Sequence, residues 1–252
     1  MHPSPVRLYC IPHAGATSSV YRPWKALATL GLQIVGVDPA GRGTRSREAK
    51  IADYTELVCS TARYVVDDLL RAREDVGHLR YATFGHSFGA LQSLAVAAAV
   101  QRVIGQPPLC TILSAALPPR LQPPGDETTP LTDAELLDKI ARDGGTEPAL
   151  LSSGAMAGYL VGLMREDYAI RRQFPAEKGL RVDFPLTLVA ARDDRYVLPA
   201  QMWAWSEHSG ARSRRLELAG GHFAAVRNPA KIVAIVCAEM GRAADALSGK
   251  EC

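Results

Sequence analysis

The sequence predicts an α/β fold in which helices cover both faces of a mostly parallel sheet. Short runs rich in β-branched and apolar residues recur along the chain, with helical segments between them. Most of these runs are largely apolar and do not alternate with polar residues, as strands buried on both faces require. The length of 252 residues suits one domain with a large core.

Six segments are predicted as strands and four as the main helices. The strand segments cover residues 6–11, 33–37, 81–84, 110–113, 186–190 and 215–218. The helical segments cover residues 21–30, 54–73, 88–103 and 229–246. In the segment 54–73, apolar residues that include Leu57, Val65 and Leu69 recur at helical spacing, which predicts one buried face.

The stretch between Pro118 and Pro185 breaks this alternation because it has no segment of strand character. It begins with a proline-rich loop that contains Pro118, Pro119, Pro123, Pro124 and Pro130. Residues 131–135 then form the pattern of a capped helix start, and a longer helical pattern covers 154–174. We therefore predict a single domain over residues 1–252 with a helical lid at about 118–185. The alternative is that these helices simply pack against the core.

Composition argues against several classes of protein. The net charge of +3 and the scattered arginines give no basis for nucleic-acid binding. The longest apolar stretch, at 91–100, is too short to span a membrane, and the N-terminus lacks the pattern of a signal peptide. The five cysteines form no Cys-x-x-Cys pair, which favours free thiols in a reducing cytoplasm over disulfides or zinc.

A catalytic serine is indicated by the pattern Gly-x-Ser-x-Gly at residues 85–89. A strand segment leads into this pattern and a helix of small residues follows at once, which is the layout of a nucleophile elbow. Gly85 and Gly89 lack a Cβ, so the strand and the helix can pack closely around a strained turn. The N-terminal end of the helix then points its free amides at the oxygen of Ser87, the candidate nucleophile.

A nucleophilic serine needs a base, and that base needs a carboxylate to orient it. In α/β-hydrolases the order along the chain is Ser, then Asp or Glu, then His. His222 fits this order because it lies in a glycine-flanked loop after the last predicted strand. The carboxylate should follow the preceding strand, where Asp193 and Asp194 are both candidates that spacing alone does not separate.

Two further histidines lie beside the candidate residues and receive no chemical role. His86 is the variable residue of the elbow, so its side chain is expected to point away from the serine. His13 follows the first strand in the loop 12–16, where a backbone role is favoured.

Two N–H donors are needed to stabilise the oxyanion of an acyl-transfer intermediate. The amide of Phe88, directly after the nucleophile, is predicted to be the first. The second is predicted in the loop 12–16, where small residues allow close approach of the backbone, and Ala14 is the candidate. The alternative is that this loop is only a glycine turn before the next helix.

With these residues in place, the sequence resembles type II thioesterases, the discrete editing hydrolases of polyketide and nonribosomal peptide assembly lines. The similarity covers nearly the whole chain. Its most specific segments are Cys-Ile-Pro-His-Ala-Gly at 10–15, Tyr-Arg-Pro-Trp at 21–24, Asp-Pro-Ala-Gly-Arg-Gly at 38–43, Gly-His-Ser-Phe-Gly-Ala at 85–90, Leu-Met-Arg-Glu-Asp-Tyr at 163–168 and Gly-Gly-His-Phe at 220–223. The family's acid follows its strand as Gly-x-x-Asp, usually before a proline, which favours Asp194. Arg195 stands in place of that proline and keeps Asp193 as the alternative acid.

The resemblance implies a substrate and a partner. The substrate is an acyl thioester on the phosphopantetheine arm of a separate acyl or peptidyl carrier protein, and the reaction needs no metal or other cofactor. Apolar residues of the predicted lid are candidates to line an acyl chamber, namely Met156, Leu160, Leu163 and Met164.

Three other functions remain as alternatives. A medium-chain acyl-[acyl-carrier-protein] thioesterase of fatty acid synthesis would share the same motifs. A general carboxylesterase would share the triad, which does not distinguish oxygen esters from thioesters. A non-catalytic binding protein with a hydrolase fold belongs to a different class, and the intact Ser-His-Asp set argues against it.

Overall fold

The computed structural model describes residues 5–29, 31–76, 80–122, 131–146, 148–174 and 179–248. Its centre is a six-stranded sheet in which every neighbouring pair of strands is parallel, in the order β2-β1-β3-β4-β5-β6. The strands are β1 (Val6–Ile11), β2 (Leu32–Gly36), β3 (Tyr81–His86), β4 (Thr111–Ser114), β5 (Leu186–Ala191) and β6 (Ser213–Leu218). All six predicted strands are present, which confirms the predicted α/β class.

Helices connect the strands and cover the sheet. They are α1 (Tyr54–Val76), α2 (Phe88–Ile104), α3 (Asp133–Asp143), α4 (Pro148–Leu151), α5 (Gly154–Arg171), α6 (Pro199–Trp203), α7 (Ala224–Arg227) and α8 (Pro229–Ser248). The prediction of a regular helix at 21–30 is wrong, because the chain forms a 3₁₀-helix at Ser18–Leu27, and residue 30 lies outside the described residues. Pro23 lies inside that helix, where it supplies no N–H for an α-helical ladder. None of the helices in the described ranges has the length and hydropathy needed to cross a membrane.

Successive side chains of the strands point into two separate cores. Tyr9 and Ile11 of β1 pack in the core that contains α1 and α2. Leu8 and Cys10 of the same strand pack in the core that contains α8 and the 3₁₀-helix. Because both faces of the sheet are covered, every position of β3, β4 and β5 is buried, which explains the apolar runs in the sequence.

The sheet brings three chain segments of interest to one edge. Ser87 follows β3, Asp194 lies in the loop after β5, and His222 lies in the loop after β6. Since all strands are parallel, these loops lie at the carboxyl edge, where α/β sheets place their ligand sites. Helix α2 follows Ser87 directly and is buried from Phe88 to Val100, so the serine is anchored in the middle of the fold.

The segment between β4 and β5 contains the helices α3, α4 and α5. Among its described residues there is no strand, and Val182 forms only an isolated bridge to Ser209. Of the loop prolines named above, Pro123, Pro124 and Pro130 lie outside the described residues. Helix α5 contacts α3 and α4, while Ile170 of α5 is also part of the core beside α1 and α2.

The start of α3 is fixed by a reciprocal cap, as the pattern at 131–135 predicts. The N–H of Glu135 donates to Oγ1 of Thr132, and the carboxylate of Glu135 accepts the N–H of Thr132 at 2.7 Å.

Loss of this cap should loosen α3 measurably. An N-cap of this kind contributes about 1 kcal/mol, so Thr132→Ala should speed hydrogen exchange of the α3 amides about five-fold. Ser153, the N-cap of α5, makes no side-chain cap bond among the described residues, so Ser153→Ala is a matched control with little expected effect on α5. Equal effects of the two substitutions on their helices would contradict the prediction.

Candidate active site

Ser87 lies on a strained turn between β3 and α2. Its φ of 53° and ψ of −120° form a backbone conformation that L-residues rarely adopt. The N–H of Ser87 donates to the carbonyl oxygen of Ser114 at 2.8 Å, which ties the turn to β4. A Cβ on Gly85 would collide with the carbonyl of Gly89, and a Cβ on Gly89 would collide with the carbonyl of Ile11. Both glycines are therefore required by the close approach of the strand, the turn and the helix.

His222 and Asp194 form a hydrogen-bonded pair at the same edge of the sheet. Nδ1 of His222 lies 2.9 Å from Oδ2 and 3.1 Å from Oδ1 of Asp194. The Asp194 side chain is 0 % exposed, whereas that of His222 is 13 % exposed. Backbone N–H groups of Tyr196 and Val197 also donate to Oδ1 of Asp194 and fix its orientation. When Nδ1 carries the proton donated to Asp194, Nε2 of His222 is left as a base.

Asp193 has a different set of partners. Its side chain is exposed, and its Oδ2 accepts the N–H of Gly220 at 3.2 Å. Its own N–H donates to the carbonyl of Gly220 at 3.0 Å. Asp193 thus holds the beginning of the loop that carries His222, and Asp194 is the neighbour whose carboxylate contacts the imidazole.

The loop after β1 lies against the elbow and is held at two points. A Cβ on Gly89 would also meet the carbonyl of Pro12, which places this loop beside the start of α2. The N–H of Ala16 donates to the carbonyl of His13 at 3.1 Å, and the N–H of Gly15 donates to Oδ2 of Asp167 at 2.7 Å.

The two candidate oxyanion donors differ from Gly15 in their hydrogen bonding. The Gly15 amide is occupied by Asp167. Among the described residues, neither the Ala14 amide nor the Phe88 amide has an acceptor. Both amides are therefore available to a ligand at the elbow.

Two buried histidines lie near His222, an arrangement that the sequence analysis did not anticipate. The ring of His86 lies 5.0 Å from that of His222 and 5.9 Å from that of His13, and Phe223 lies 4.8 Å from both His13 and His86. Nδ1 of His13 and Nε2 of His86 are buried without a hydrogen-bond partner among the described residues. Their positions in the sequence could have indicated this proximity, because His13 directly precedes Ala14 and His86 directly precedes Ser87.

Burial keeps these two imidazoles uncharged. It lowers the pKa of His13 to about 3, and the neighbouring charge of His222 acts in the same direction. The pKa of His86 is also lowered well below its ordinary value, chiefly by burial and then by His222 and His13. The rings in contact with His222, those of His86, Tyr196 and Phe223, are therefore uncharged.

A small cavity opens beside the loop after β1. It is lined by His13, Ala14, Gly15, Ile140, Asp143, Gly145, Thr146, Leu160, Met164 and Phe223. Leu160 and Met164 were expected to line an acyl chamber and do line this cavity. Met156 is exposed and Leu163 is buried, and neither of them lines it.

The end of α3 contacts the residues around His222. The Tyr196 hydroxyl donates to Oδ1 of Asp143 at 2.5 Å, and the Tyr196 ring lies 5.1 Å from the His222 ring in an edge-on arrangement. Gly145 lies so close to the Phe223 ring that a Cβ there would collide with it. Part of the segment between β4 and β5 therefore lies next to the candidate base.

A parallel sheet with a strained serine after β3, and with an Asp–His pair after β5 and β6, defines an α/β-hydrolase fold. The chain belongs to the thioesterase family, whose Thioesterase domain model matches residues 6–239. No set of three or more His, Cys, Asp or Glu side chains in the described ranges could hold a metal ion.

Comparison with individual proteins agrees with this assignment. The thioesterase RedJ from the prodiginine pathway of Streptomyces coelicolor is 29% identical, with a TM-score of 0.77 over 95% of this chain and 94% of RedJ. The type II thioesterase BorB from the borrelidin biosynthetic cluster is 28% identical, with a TM-score of 0.78 over 94% of each chain. Thioesterase PikA5 of Streptomyces venezuelae is 26% identical over 226 residues, which are 88% of this chain and 77% of PikA5. The resemblance to type II thioesterases is confirmed.

The buried imidazoles should make the stability of the fold depend on pH. An unfolded histidine has a pKa of about 6.5, whereas His13 has a folded pKa of about 3. Between these values the unfolded chain binds more protons, so the free energy of unfolding should be highest above about pH 6.5 and fall as the pH decreases. The expected slope approaches about 1.4 kcal/mol per pH unit for each of His13 and His86.

Urea unfolding between about pH 7.5 and about pH 5 measures this slope. His13→Gln removes one titrating group, so the slope should fall by up to about 1.4 kcal/mol per pH unit whatever the variant does to absolute stability. An unchanged slope would show that His13 takes up no proton on unfolding.

Proposed function

We propose that this protein is a serine thioesterase that releases acyl groups from the phosphopantetheine arm of carrier proteins and so removes stalled or aberrant units from polyketide or nonribosomal peptide assembly lines. The observation that carries the proposal is the hydrogen-bonded pair of buried Asp194 and His222 at the sheet edge that also holds the strained Ser87. Membership of the thioesterase family supports a thioester as the bond that is cleaved.

In the proposed reaction, Oγ of Ser87 attacks the thioester carbonyl while its proton moves to Nε2 of His222. Asp194 holds the imidazole in the required tautomer and stabilises its positive charge. The amides of Phe88 and Ala14 stabilise the oxyanion. Collapse of the intermediate expels the phosphopantetheine thiolate, which takes the proton from His222. The same imidazole then activates a water molecule, which hydrolyses the acyl-enzyme and releases a carboxylic acid.

The carrier-bound substrate is supported by the relatives. RedJ comes from the prodiginine biosynthetic pathway and BorB from the borrelidin biosynthetic cluster, and both are similar to this chain over nearly its whole length. An acyl group attached to Ser87 would extend toward the cavity beside Ala14, where Leu160 and Met164 provide apolar contact.

Among the described residues all four cysteines are free, which fits a reducing cytoplasm.

We also propose that the segment 118–185 is a lid on a single catalytic domain. The support is that α3 ends beside the candidate base, through Asp143 and Tyr196, and that α5 lines the cavity. A phosphopantetheine arm would enter when the contact of Gly145 with Phe223 opens.

The test of the function compares one acyl group on a carrier protein, on coenzyme A and on a simple alcohol ester. Contacts to the carrier body add orientation, so kcat/KM should be highest for the carrier thioester. A preference for the alcohol ester would indicate a general carboxylesterase, and turnover of medium-chain acyl carriers alone would indicate a fatty acid thioesterase. Absence of turnover with all three would indicate a binding protein.

Substitution of the two neighbouring aspartates tests the proposed triad. Asp194→Asn should lower kcat about 10³- to 10⁴-fold, because an amide favours the wrong tautomer of His222. Asp193→Asn is the matched control and should retain kcat within about ten-fold, since its amide oxygen can still accept the Gly220 N–H. Ser87→Ala gives the background rate.

Circular dichroism of each variant establishes that it is folded before the rates are compared. If folded Asp193→Asn is inactive while Asp194→Asn remains active, the acid is Asp193 and the proposed triad is wrong.

A further inference from the structure

We propose that Asp167 and Arg42 are positioning residues for the oxyanion hole, in which Arg42 fixes Asp167 and Asp167 fixes the loop that presents the Ala14 amide. The inference rests on the proposed function of the elbow. It assigns a task to an ion pair that joins helix α5 to two loops distant in sequence.

The ion pair is buried, and both oxygens of the Asp167 carboxylate take part in it. Asp167 lies near the end of α5 and is 3 % exposed, and Arg42 is 5 % exposed. Nη1 of Arg42 donates to Oδ2 of Asp167 at 2.6 Å, and Nη2 donates to Oδ1 at 2.7 Å. This two-point contact sets the plane of the carboxylate as a single hydrogen bond would not.

Oδ2 of Asp167 also accepts a hydrogen bond from the protein backbone. The N–H of Gly15 donates to it at 2.7 Å. Burial raises the pKa of the Asp167 carboxyl, while the hydrogen bonds and charge of Arg42 and the Gly15 amide oppose this shift. Every hydrogen bond to the Asp167 oxygens comes from an N–H donor, which is the arrangement of an ionised carboxylate, so the Gly15 amide donates to a charged acceptor.

The consequence for Ala14 follows from the peptide planes on either side of it. The Ala14 N–H shares a plane with the carbonyl of His13, which accepts the N–H of Ala16. The next plane contains the Gly15 N–H, which Asp167 holds. Gly15 itself has a φ of +76°, so the loop turns sharply at this point. With both planes held, the direction of the Ala14 N–H is set before substrate binds, which is what an oxyanion donor requires.

Stability alone does not account for such an arrangement. The desolvation of two buried charges offsets much of their attraction, so a buried pair is weak support for a purely stabilising role. The pair instead fixes one orientation among several that the glycine-containing loop could adopt. Asp167 also belongs to the segment 118–185, so a helix of the proposed lid contributes to the site through the backbone of Gly15.

The chain offers a matched control on the same helix. Glu166 precedes Asp167, is 40 % exposed, and pairs with Lys50 at 2.6 Å and with Arg42 at 3.3 Å. Glu166 makes no hydrogen bond to the loop after β1 among the described residues. Glu166→Gln therefore removes a charge next to Arg42 without removing the acceptor of the Gly15 amide.

The experiment compares Asp167→Asn, Arg42→Lys and Glu166→Gln with the wild type, using a p-nitrophenyl ester as substrate. Affinity is also measured for a trifluoromethyl ketone, which forms a tetrahedral adduct with serine. An amide NH2 cannot accept from the second guanidinium nitrogen, so Asp167→Asn loses the two-point contact with Arg42, as Arg42→Lys does. We expect both variants to lower kcat about 10- to 100-fold and to weaken binding of the ketone by a similar factor, with KM changed less than about three-fold. Glu166→Gln should keep wild-type values of all three.

Two results would overturn the inference. One is wild-type kcat and ketone affinity in folded Asp167→Asn and Arg42→Lys. The other is a rise in KM alone, which would mean that the pair shapes substrate binding and not the oxyanion hole. If Asp167→Asn does not fold, Arg42→Lys, which keeps the charge but loses the two-point contact, decides the question.

The two proposals fail in different ways. Absence of Ser87-dependent turnover in the wild type would overturn the proposed function together with this inference. Normal Ser87-dependent turnover in the wild type and in both variants would overturn the inference alone.

Discussion

The close approach of β3 and α2 is the constraint on which the rest of the site depends. Ser87 occupies a backbone conformation that is unfavourable by itself, and it persists because Gly85 and Gly89 let the strand and helix contact each other without side chains. Helix α2, buried from Phe88 to Val100, holds one end of the turn, and the hydrogen bond to Ser114 holds the other. Core packing on both sides of the sheet thus maintains the position of one hydroxyl group.

The other segments of the candidate site are held next to the Ser87 turn by hydrogen bonds to the backbone. Two amides orient Asp194, and Asp193 holds the loop of His222 through Gly220. Asp167 holds Gly15 in the loop of Ala14. The loops at the carboxyl edge are therefore restrained by the same chemistry that orients the side chains, which is the preorganisation that the proposed oxyanion donors require.

Much of this could be predicted from sequence, because the relevant forces act over short distances along the chain. Apolar runs that must be buried on both faces marked the central strands β3, β4 and β5, and the glycines that a tight turn requires marked Ser87. The capping box at Thr132 is equally local, since the cap and its partner are three residues apart. The effect of Pro23 is also local, because a proline inside a helix has no N–H to donate, and the chain forms a 3₁₀-helix in place of the expected α-helix.

The sequence by itself determined the strands, the elbow and the order of the candidate residues, while the tertiary structure decided which side chains meet. Spacing left Asp193 and Asp194 equivalent and the family pattern favoured Asp194, while the contacts of each side chain are decided by the direction in which it leaves the loop after β5. The rings of His13, His86 and His222 come together because three parallel strands end at one edge. Arg42 and Asp167 are 125 residues apart, so no local pattern relates them. Contacts of this kind arise from the packing of whole elements, and sequence periodicity carries no record of them.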